Sequence, residues 1–432
     1  MRFTEKYTPI FVIVLIALVP IALWLNVQNM SFARPATVSA GVGELAGIVG
    51  AVLFALSLIL SSRAPFLDKA FIGLNRLYAY HNRIGQIAFL LLLAHPLLLL
   101  ARYAPDVKSA ANFFMLSADY GQDFGILALA LMILLIVLTL YLRPRYHFWR
   151  KLHSLFGVAL FFGVFHALLS PSTVFRQSAL LRWYVLAWMS IGVGVWIYRT
   201  LFKKTFAQTK AFTVAQLRAL SAHTLEIALQ TQGEKLRYKP GQFAFLTFRG
   251  AGIPTEKHPF SFVSHPNESN VAFAIKELGD FTSLLKDKLK IGVRVLLEGP
   301  FGAFSYTRAK QSKQLWLAGG VGITPFVSMA KDLKKNSYIQ VQLIYSVKNI
   351  SDAVYLDELE RLQDELPNFS FSVYESDKNG FLTADVLAQK LPDLLERAVF
   401  LCAPPAMIDA LRAQLLAKGM VREQIYSEEF NF

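Results

Sequence analysis

Cysteine is nearly absent from this sequence: Cys402 is the only one among 432 residues. A lone cysteine excludes an intramolecular disulfide and an iron–sulfur cluster held by the chain's own cysteines, because each needs at least two. It also excludes the Cys-x-x-Cys-His attachment of a c-type haem. Any haem would therefore be held without a covalent bond to the chain.

Acidic residues are scarce in the first half of the chain. Residues 1–210 contain 19 Lys and Arg but 6 Asp and Glu, a net charge of +13, whereas the remainder contains 25 and 24, a net of +1. The first half also holds the long apolar runs of a chain that is 54% hydrophobic, with a mean hydropathy of +0.40. Basic loops between apolar runs are typical of a membrane protein, and they account for the charge better than nucleic-acid binding does.

Six apolar runs are near the roughly 20 residues that a helix needs to cross a bilayer. They cover residues 9–27, 42–62, 75–101, 121–142, 153–170 and 181–201. The first run could be a signal peptide, with Val38-Ser39-Ala40 as a small-residue cleavage site. The run is long and that site lies far beyond it, so a spanning helix is the favoured interpretation.

The loops between these runs differ in charge. One set carries thirteen basic residues: Arg2, Lys6, Arg63, Lys69, Arg76, Arg83, Arg143, Arg145, Arg150, Lys151, Arg199, Lys203 and Lys204. The opposite set carries five: Arg34, Arg102, Lys108, Arg176 and Arg182. The excess of positive charge marks the cytoplasmic side. We therefore expect a multi-pass plasma-membrane protein with both termini in the cytoplasm.

Four histidines lie in the apolar runs as two pairs. His81 and His95 share the third run, and His153 and His166 share the fifth. Ionisable groups in spanning segments usually have a function. Two pairs on two helices predict two b-type haems, one held by His81 and His153 near the inner face and one by His95 and His166 near the outer face. The alternative is that these side chains are buried polar groups bonding neighbouring helices. His147, in a basic loop, is interpreted as a solvated or headgroup residue.

An ideal helix places His81 and His95 on nearly the same face, as two stacked haems require, but it does not do so for His153 and His166. The 14-residue step from His81 to His95 is about 21 Å long and leaves the two side chains about 40° apart around an ideal helix. The 13-residue step from His153 to His166 is about 19.5 Å long, but the angle is about 220°. The fifth helix must therefore bend or change pitch, or its haems must be offset sideways. Gly157 and Gly163 lie between the two histidines and could permit a bend.

From about residue 209 the pattern changes to short alternating segments of the kind found in antiparallel strands. Six such segments predict a six-stranded barrel: 211–217, 223–230, 242–248, 260–264, 271–277 and 293–298. After the barrel, strands alternate with helices as far as residue 418, which indicates a parallel, doubly wound sheet. The first of these strands runs into the glycine-rich turn 319–324. A turn of this type between strand and helix suits a dinucleotide pyrophosphate, because its backbone N–H groups are accessible.

A series of short motifs carries a resemblance to a known family. They are Lys239-Pro240-Gly241-Gln242-Phe243, His258-Pro259-Phe260-Ser261, Gly279-Asp280-Phe281-Thr282, Gly299-Pro300-Phe301-Gly302 and the run from Gly319 to Phe326. In this order they resemble the ferredoxin–NADP reductase module. Joined to six spans with two histidine pairs, the whole chain resembles the NADPH oxidase and ferric reductase superfamily, whose haem pairs have the same 14- and 13-residue spacings. The resemblance implies a six-helix haem domain over 1–208, an FAD-binding β-barrel over 209–308 and an NAD(P)H-binding α/β domain over 309–432.

The resemblance also implies which residues contact the flavin. The motif of His258, Pro259, Phe260 and Ser261 would hold the FAD, with the Ser261 hydroxyl facing the isoalloxazine or a phosphate. Lys276 would lie at the FAD pyrophosphate, with Gly279 and Thr282 nearby. The alternatives are an exposed strand lysine for Lys276 and a helix cap for Thr282.

For the nicotinamide nucleotide, the resemblance implies a pyrophosphate site in the turn formed by Gly319, Gly320, Gly322, Thr324 and Pro325. Cys402 would lie near the nicotinamide, although Ala403 replaces the glycine usual after it, and a small buried apolar residue is the alternative. Phe432 would be an aromatic gate stacked on the flavin. Lys348 would meet the ribose 2′-phosphate, which favours NADPH over NADH, and a surface lysine is the alternative.

The expected reaction passes electrons from cytoplasmic NADPH through FAD and two haems to an acceptor on the outer side. Oxygen, giving superoxide, is the favoured acceptor; a ferric chelate and a periplasmic redox partner are the alternatives. Arg102, Arg176 and Arg182 could attract an anionic acceptor, although interfacial anchoring explains them more simply. The sequence contains no calcium-binding loop or large outer insert, which suggests a constitutively active bacterial enzyme. A non-catalytic haem or transport protein is a further alternative, against which the flavin and nucleotide motifs argue.

Overall fold

The computed structural model describes residues 3–27, 35–103, 106–117, 119–142, 146–170, 172–202, 208–335 and 338–428. The chain divides into two compact units. One contains residues 2–71 and 76–206, and the other contains residues 72–75 and the residues from 207 onward. The described part of the first unit is helical, whereas the second unit contains two β-sheets.

The first unit supplies the membrane-length helices. Its described helices are α1 (Phe3–Val27), α2 (Pro35–Leu60), α3 (Pro65–Phe71), α4 (Leu74–Leu100), α5 (Val107–Asn112), α6 (Tyr120–Tyr141), α7 (Tyr146–Ser154), α8 (Phe156–Leu169), α9 (Thr173–Gln177) and α10 (Ala179–Thr200). In the described residues, six stretches of 20 to 27 residues are long and apolar enough to cross a bilayer, with α7 and α8 together forming the fifth. The six predicted spans are confirmed.

The core of this unit lies where α2, α8 and α10 pack together. Val52 and Ala55 of α2, Leu160 of α8, and Val185 and Met189 of α10 are buried in one apolar cluster. The outward-facing side chains of the long helices are apolar too, among them Phe11, Leu90 and Leu134, which are exposed. Apolar residues both inside and outside are what a helix bundle in lipid requires, because the hydrocarbon itself is apolar.

The second unit begins with the predicted antiparallel barrel. Its strands are β1 (Thr209–Ser221), β2 (Thr224–Thr231), β3 (Phe243–Arg249), β4 (His258–Ser261), β5 (Val271–Lys276) and β6 (Arg294–Phe301). Neighbouring strands in the sheet follow the order β4-β3-β6-β1-β2-β5. A bridge between Phe262 and Phe273 joins the two edges and closes the barrel. Helix α11 (Asp280–Lys288) lies between β5 and β6 in sequence. Phe212, Phe248 and Phe262 are among the buried residues that fill the interior.

A parallel sheet follows the barrel. Its strands are β7 (Lys313–Gly319), β8 (Gln340–Val347), β9 (Phe369–Glu375), β10 (Ala398–Cys402) and β11 (Ile425–Glu428), in the order β11-β10-β7-β8-β9. The helices are α12 (Thr324–Asp332), α13 (Leu356–Glu365), α14 (Ser376–Asn379), α15 (Ala384–Lys390) and α16 (Pro405–Ala417). Alternate residues of β7 enter different cores, Trp316 on one face and Leu315 and Leu317 on the other. Burial on both faces confirms the predicted doubly wound sheet. Strand β11 was not predicted.

The turn before β3 supplies a test of the barrel. Gly241 has a φ of +90°, and a Cβ at this position would lie 2.0 Å from the Phe304 carbonyl oxygen. We expect Gly241→Ala to destabilise the unit by about 1–3 kcal/mol or more, since the left-handed conformation alone costs this much. Gly233→Ala is the matched control, because its Cβ would meet no atom within 4 Å. Thermal unfolding followed by tryptophan fluorescence measures both; equal melting temperatures would contradict the assignment.

Candidate functional site

The structure brings the four histidines together as two pairs. The ring centroids of His81 (α4) and His153 (α7) are 6.0 Å apart, and those of His95 (α4) and His166 (α8) are 6.2 Å apart. The two rings of each pair are steeply inclined, at 73° and 68°. The same partners were predicted from the sequence, and their role as haem ligands stays a prediction.

The phase problem in the fifth span is resolved by an interruption of the helix. Helix α7 ends at Ser154 and α8 begins at Phe156. Around this point the N–H of Leu155 donates to Leu152 at 3.0 Å, and the N–H of Val158 donates to Leu155 at 2.9 Å. Each of these bonds joins an N–H to the carbonyl three residues earlier, as in a 3₁₀-helix. Such a turn winds the chain more tightly than an α-helix and changes the direction of the following side chains. The expected change of pitch is therefore observed. Gly157 lies inside α8, where an added Cβ would lie 2.1 Å from Trp196, so this glycine serves helix packing.

Three of the histidines are oriented by backbone carbonyls of neighbouring helices. Nδ1 of His95 donates to the Gly43 carbonyl at 2.7 Å, Nδ1 of His166 to the Gly121 carbonyl at 2.7 Å, and Nδ1 of His81 to the Ser57 carbonyl at 2.8 Å. A carbonyl oxygen only accepts hydrogen bonds, so Nδ1 carries the proton and Nε2 keeps its lone pair. Ser57 and Gly43 are 14 residues apart on α2, as His81 and His95 are on α4.

The fourth histidine is held by aromatic contacts. The His153 ring stacks on Trp149 with centroids 4.8 Å apart and an interplanar angle of 19°. Phe156 contacts the same ring edge-on, with centroids 5.1 Å apart. The His153 ring is therefore fixed between α7 and the first residue of α8.

The donor set of each pair fits a haem. A bond from an imidazole nitrogen to a metal is about 2 Å long, so two such bonds and the two ring radii together span about 6 Å. Throughout the described ranges, no group of three or more His, Cys, Asp or Glu side chains converges as a metal site. A bare ion bound by two imidazoles would lack ligands, whereas a porphyrin supplies four nitrogens itself and needs only the two axial ones.

The His-Pro-Phe-Ser motif of β4 and the Gly-Asp-Phe-Thr motif at the start of α11 lie against each other. The His258 ring stacks on Phe281 of the Gly-Asp-Phe-Thr motif, with centroids 3.9 Å apart and an interplanar angle of 20°. Ser261, at the end of β4, is buried, and its Oγ has no hydrogen-bond partner among the described residues. A buried hydroxyl without a partner is costly, so a bound group that bonds it is expected here. The Ser261 site fits the predicted flavin.

Two other predicted flavin residues have structural partners of their own. Thr282 Oγ1 accepts hydrogen bonds from the N–H of Leu278 at 2.9 Å and from that of Gly279 at 3.2 Å. Thr282 therefore caps α11, which is the alternative role given for it in the sequence analysis. The Lys276 Nζ lies 3.8 Å from the point that a Cβ on Gly320 would occupy. Lys276 therefore faces the glycine turn, and its predicted contact with the FAD pyrophosphate stays a prediction.

The glycine turn lies at the switch point of the parallel sheet. Strand order reverses between β7 and β10, and ligands of such sheets bind at the carboxyl ends of the strands on either side of this point. Gly319 ends β7, and a single helical turn leads into α12 with Thr324 and Pro325 at its start. A Cβ on Gly322 would lie 2.0 Å from the Cys402 carbonyl oxygen. Only glycine allows this contact between the turn and β10.

Side chains from three strands border the same edge. Cys402 ends β10 and is buried, and this burial, together with the Glu428 carboxylate, raises the pKa of its thiol well above the usual range. Cys402 is therefore a neutral thiol. An added Cβ on Gly319 would lie 2.6 Å from the Ala403 methyl, so the alanine that replaces the usual glycine fills space beside Gly319. Lys348 is exposed just after β8, and Phe432 lies outside the described residues.

Some residues of these sites were not predicted. Glu428, at the end of β11, is buried and pairs in register with Cys402. Gly43, Ser57 and Gly121 accept hydrogen bonds from the histidines. The Gly-x-x-x-Gly spacings at 43–47 and 121–125 inside apolar runs were the readable signal for close helix contacts.

The arginines predicted near the outer mouth have different surroundings. Arg182 Nη2 donates to the Leu168 carbonyl at 3.0 Å, at the end of α8, and its interfacial anchoring stays a prediction. Arg176 is exposed on α9, and the Arg102 side chain lies outside the described residues.

Three consecutive parts of the chain match known families. Residues 46–164 match the ferric reductase like transmembrane component, residues 209–305 the FAD-binding domain, and residues 316–413 the oxidoreductase NAD-binding domain. These matches and the observed sheets confirm the predicted order of a six-span helical domain, a flavin domain and a nucleotide-binding domain.

Curated relatives match about half of the chain. The 2-halobenzoate 1,2-dioxygenase electron transfer component of Burkholderia cepacia is 30% identical over 250 residues, which cover 54% of this chain and 72% of that protein. The propane 2-monooxygenase reductase component of Rhodococcus jostii is 30% identical over 210 residues, covering 45% of this chain and 55% of the relative. Among solved structures, a ferredoxin reductase in carbazole 1,9a-dioxygenase is 26% identical with a TM-score of 0.45, covering 52% of this chain and 69% of that one.

The lone hydroxyl of Ser261 gives a prediction about flavin binding. We expect Ser261→Ala to weaken FAD binding roughly 3- to 10-fold, the value of one hydrogen bond, without destabilising the flavin-free protein. Flavin titration and thermal unfolding measure the two effects. Ser264→Ala is the control, because its Oγ bonds the Tyr238 hydroxyl at 2.7 Å and the Ala272 N–H at 2.9 Å and should destabilise the barrel. A loss of stability in Ser261→Ala without a change in flavin affinity would contradict the site.

Proposed function

Since the chain belongs to the oxidoreductases of ferric reductase and NADPH oxidase-like architecture, we propose that it carries electrons from NADPH across a membrane to oxygen, producing superoxide. The observation that supports the electron path in this proposal is the meeting of two histidine pairs, with ring centroids 6.0 and 6.2 Å apart, in a chain that also contains FAD- and NAD-binding domains. The coarser statement, a multi-pass membrane oxidoreductase with flavin and nicotinamide nucleotide domains, rests on the family matches alone.

Residues at the switch point bind and orient the nicotinamide nucleotide. The Gly319–Thr324 turn and the start of α12 offer backbone N–H groups to its pyrophosphate, and Lys276 adds a positive charge beside Gly320. Lys348 meets the 2′-phosphate of NADPH. The Cys402 thiol, which is neutral, lines the site of the nicotinamide ring and places no charge beside it. The Ser261 hydroxyl donates a hydrogen bond to the flavin. FAD supplies the change from two-electron to one-electron chemistry, and the haems supply one-electron carriers within the membrane.

Each histidine pair would hold one haem through its imidazole nitrogens. His81 and His153 are assigned to the haem near the cytoplasmic face, and His95 and His166 to the haem near the outer face, following the thirteen-to-five distribution of basic residues. A haem held by two imidazoles would supply one-electron transfer to an acceptor that does not bind to the iron. Each NADPH then reduces two oxygen molecules, giving NADP⁺, one proton and two superoxide ions.

The experiment that tests the acceptor is NADPH-driven cytochrome c reduction by the purified protein loaded with FAD and haem, in air, with and without superoxide dismutase. Strong inhibition by the dismutase is expected, because the cytochrome is then reduced by superoxide. Insensitivity to the dismutase, with equal rates under nitrogen, would contradict the oxygen assignment and indicate direct reduction of a metal or protein acceptor.

The outer histidine pair gives a prediction that separates the two halves of the reaction. We expect His95→Ala and His166→Ala each to lose one haem and the electron flux across the membrane. Reduction of the flavin by NADPH should be unchanged, since no residue of the flavin site is altered. Haem absorbance and anaerobic stopped-flow flavin reduction are the measurements. His147→Ala is the control and should keep both haems; full haem content in the two test variants would overturn the ligand assignment.

A further inference from the structure

Two glycines lie directly against the rings of the His95–His166 pair. A Cβ on Gly47 would lie 2.6 Å from Nδ1 and 2.8 Å from Cε1 of His95. A Cβ on Gly125 would lie 2.7 Å from Nδ1 and 2.9 Å from Cε1 of His166. Real side chains do not approach this closely, so any larger residue at either position would displace the ring. The histidine positions therefore depend on two glycines that do not themselves bond to a ligand.

Each of these glycines lies one helical turn after the carbonyl that the same histidine bonds. Gly47 follows Gly43 by four residues on α2, and Gly125 follows Gly121 by four on α6, with a 2.7 Å bond at both carbonyls. In an α-helix the carbonyl of residue i points toward the N–H of residue i+4. The His95 and His166 rings, which reach such an oxygen at Gly43 and Gly121, lie against residue i+4. At these two sites the absence of a Cβ leaves the space that the ring occupies.

The third carbonyl bond is made without a glycine four residues later. His81 Nδ1 bonds the Ser57 carbonyl at 2.8 Å, and the Ser61 N–H donates to the same carbonyl at 3.1 Å. The Ser57 hydroxyl also lies 3.0 Å from Nδ1 of His81. The requirement for glycine therefore belongs to the His95 and His166 sites, where the ring lies directly against Gly47 or Gly125.

We propose that Gly47 and Gly125 are positioning residues for the outer haem, each admitting one axial histidine to its carbonyl and so fixing the tautomer that presents Nε2 to iron. This inference rests on the proposed function, because it takes His95 and His166 as the ligands. The bond to a carbonyl orients the ring and increases its basicity as a ligand. Displacing the ring would change the geometry and electronic properties of that haem alone.

The test uses Gly47→Ala and Gly125→Ala in the full chain purified with FAD and haem. One of the two bis-imidazole signals in the electron paramagnetic resonance spectrum should shift or disappear, and haem content should fall from two to about one per chain if the ligand is lost. The other signal and flavin reduction by NADPH should be unchanged. Gly50→Ala is the control on the same helix, since its Cβ would meet Leu92 at 2.9 Å and no histidine atom is among its three nearest neighbours.

A double variant separates positioning from general helix packing. The three atoms nearest to a Cβ on Gly47 all belong to the His95 ring. Adding Gly47→Ala to His95→Ala should therefore leave the melting temperature where His95→Ala alone puts it. A further fall of the melting temperature would overturn the positioning role and indicate a packing role instead.

The measurements distinguish a wrong inference about the two glycines from a wrong proposed function. If the wild-type protein holds two bis-imidazole haems and His95→Ala loses one, while Gly47→Ala and Gly125→Ala keep both signals and both midpoint potentials, the inference is wrong and the proposed ligands are retained. If the wild-type protein holds no bis-imidazole haem, the proposed function itself fails.

Discussion

An imidazole ring in hydrocarbon carries one hydrogen-bond donor and one acceptor, and leaving either unsatisfied is costly. In this protein the donor nitrogens of His81, His95 and His166 bond backbone carbonyls of adjacent helices. The ring centroids of His81 and His153 then lie 6.0 Å apart, and those of His95 and His166 lie 6.2 Å apart. The packing of α2 against α4 and of α6 against α8 follows from this requirement, because each bond needs two helix backbones within reach of one small ring.

The second unit, from residue 207 onward, depends on a related constraint. The glycine turn packs so closely on the end of β10 that a Cβ on Gly322 would lie 2.0 Å from the Cys402 carbonyl oxygen. This contact brings together the ends of two strands that are far apart in sequence, and it forms the crevice at which a nucleotide binds. In both units the chain therefore relies on the absence of a side chain where two backbone segments, or a ring and a backbone, must meet.

The sequence was informative wherever the pattern is local. The apolar runs located the six spans, and alternation located the strands of the barrel and four strands of the parallel sheet. The fifth, β11, has only four residues, Ile425 to Glu428, and too little alternation to be recognised before its pairing with β10 is known. The interruption at Leu155 was required by the phase of His153 and His166, but its exact position was not predictable, because the nearest glycine, Gly157, lies two residues further on, inside α8. The carbonyl groups that the histidines bond could not be predicted, because they depend on which residues of two antiparallel helices lie side by side. That register is set by packing across the whole bundle.

The equal spacing of the two bonds between α2 and α4 has a mechanical consequence. Gly43 and Ser57 hold His95 and His81 at the same 14-residue interval, so the two helices are joined at two levels. Sliding α4 by one turn, about 5.4 Å, would break both bonds together. A bilayer that becomes thicker or thinner must then be accommodated by tilting the helices as a unit. The distance between the two histidine levels is consequently a property of the protein and is independent of the thickness of the membrane.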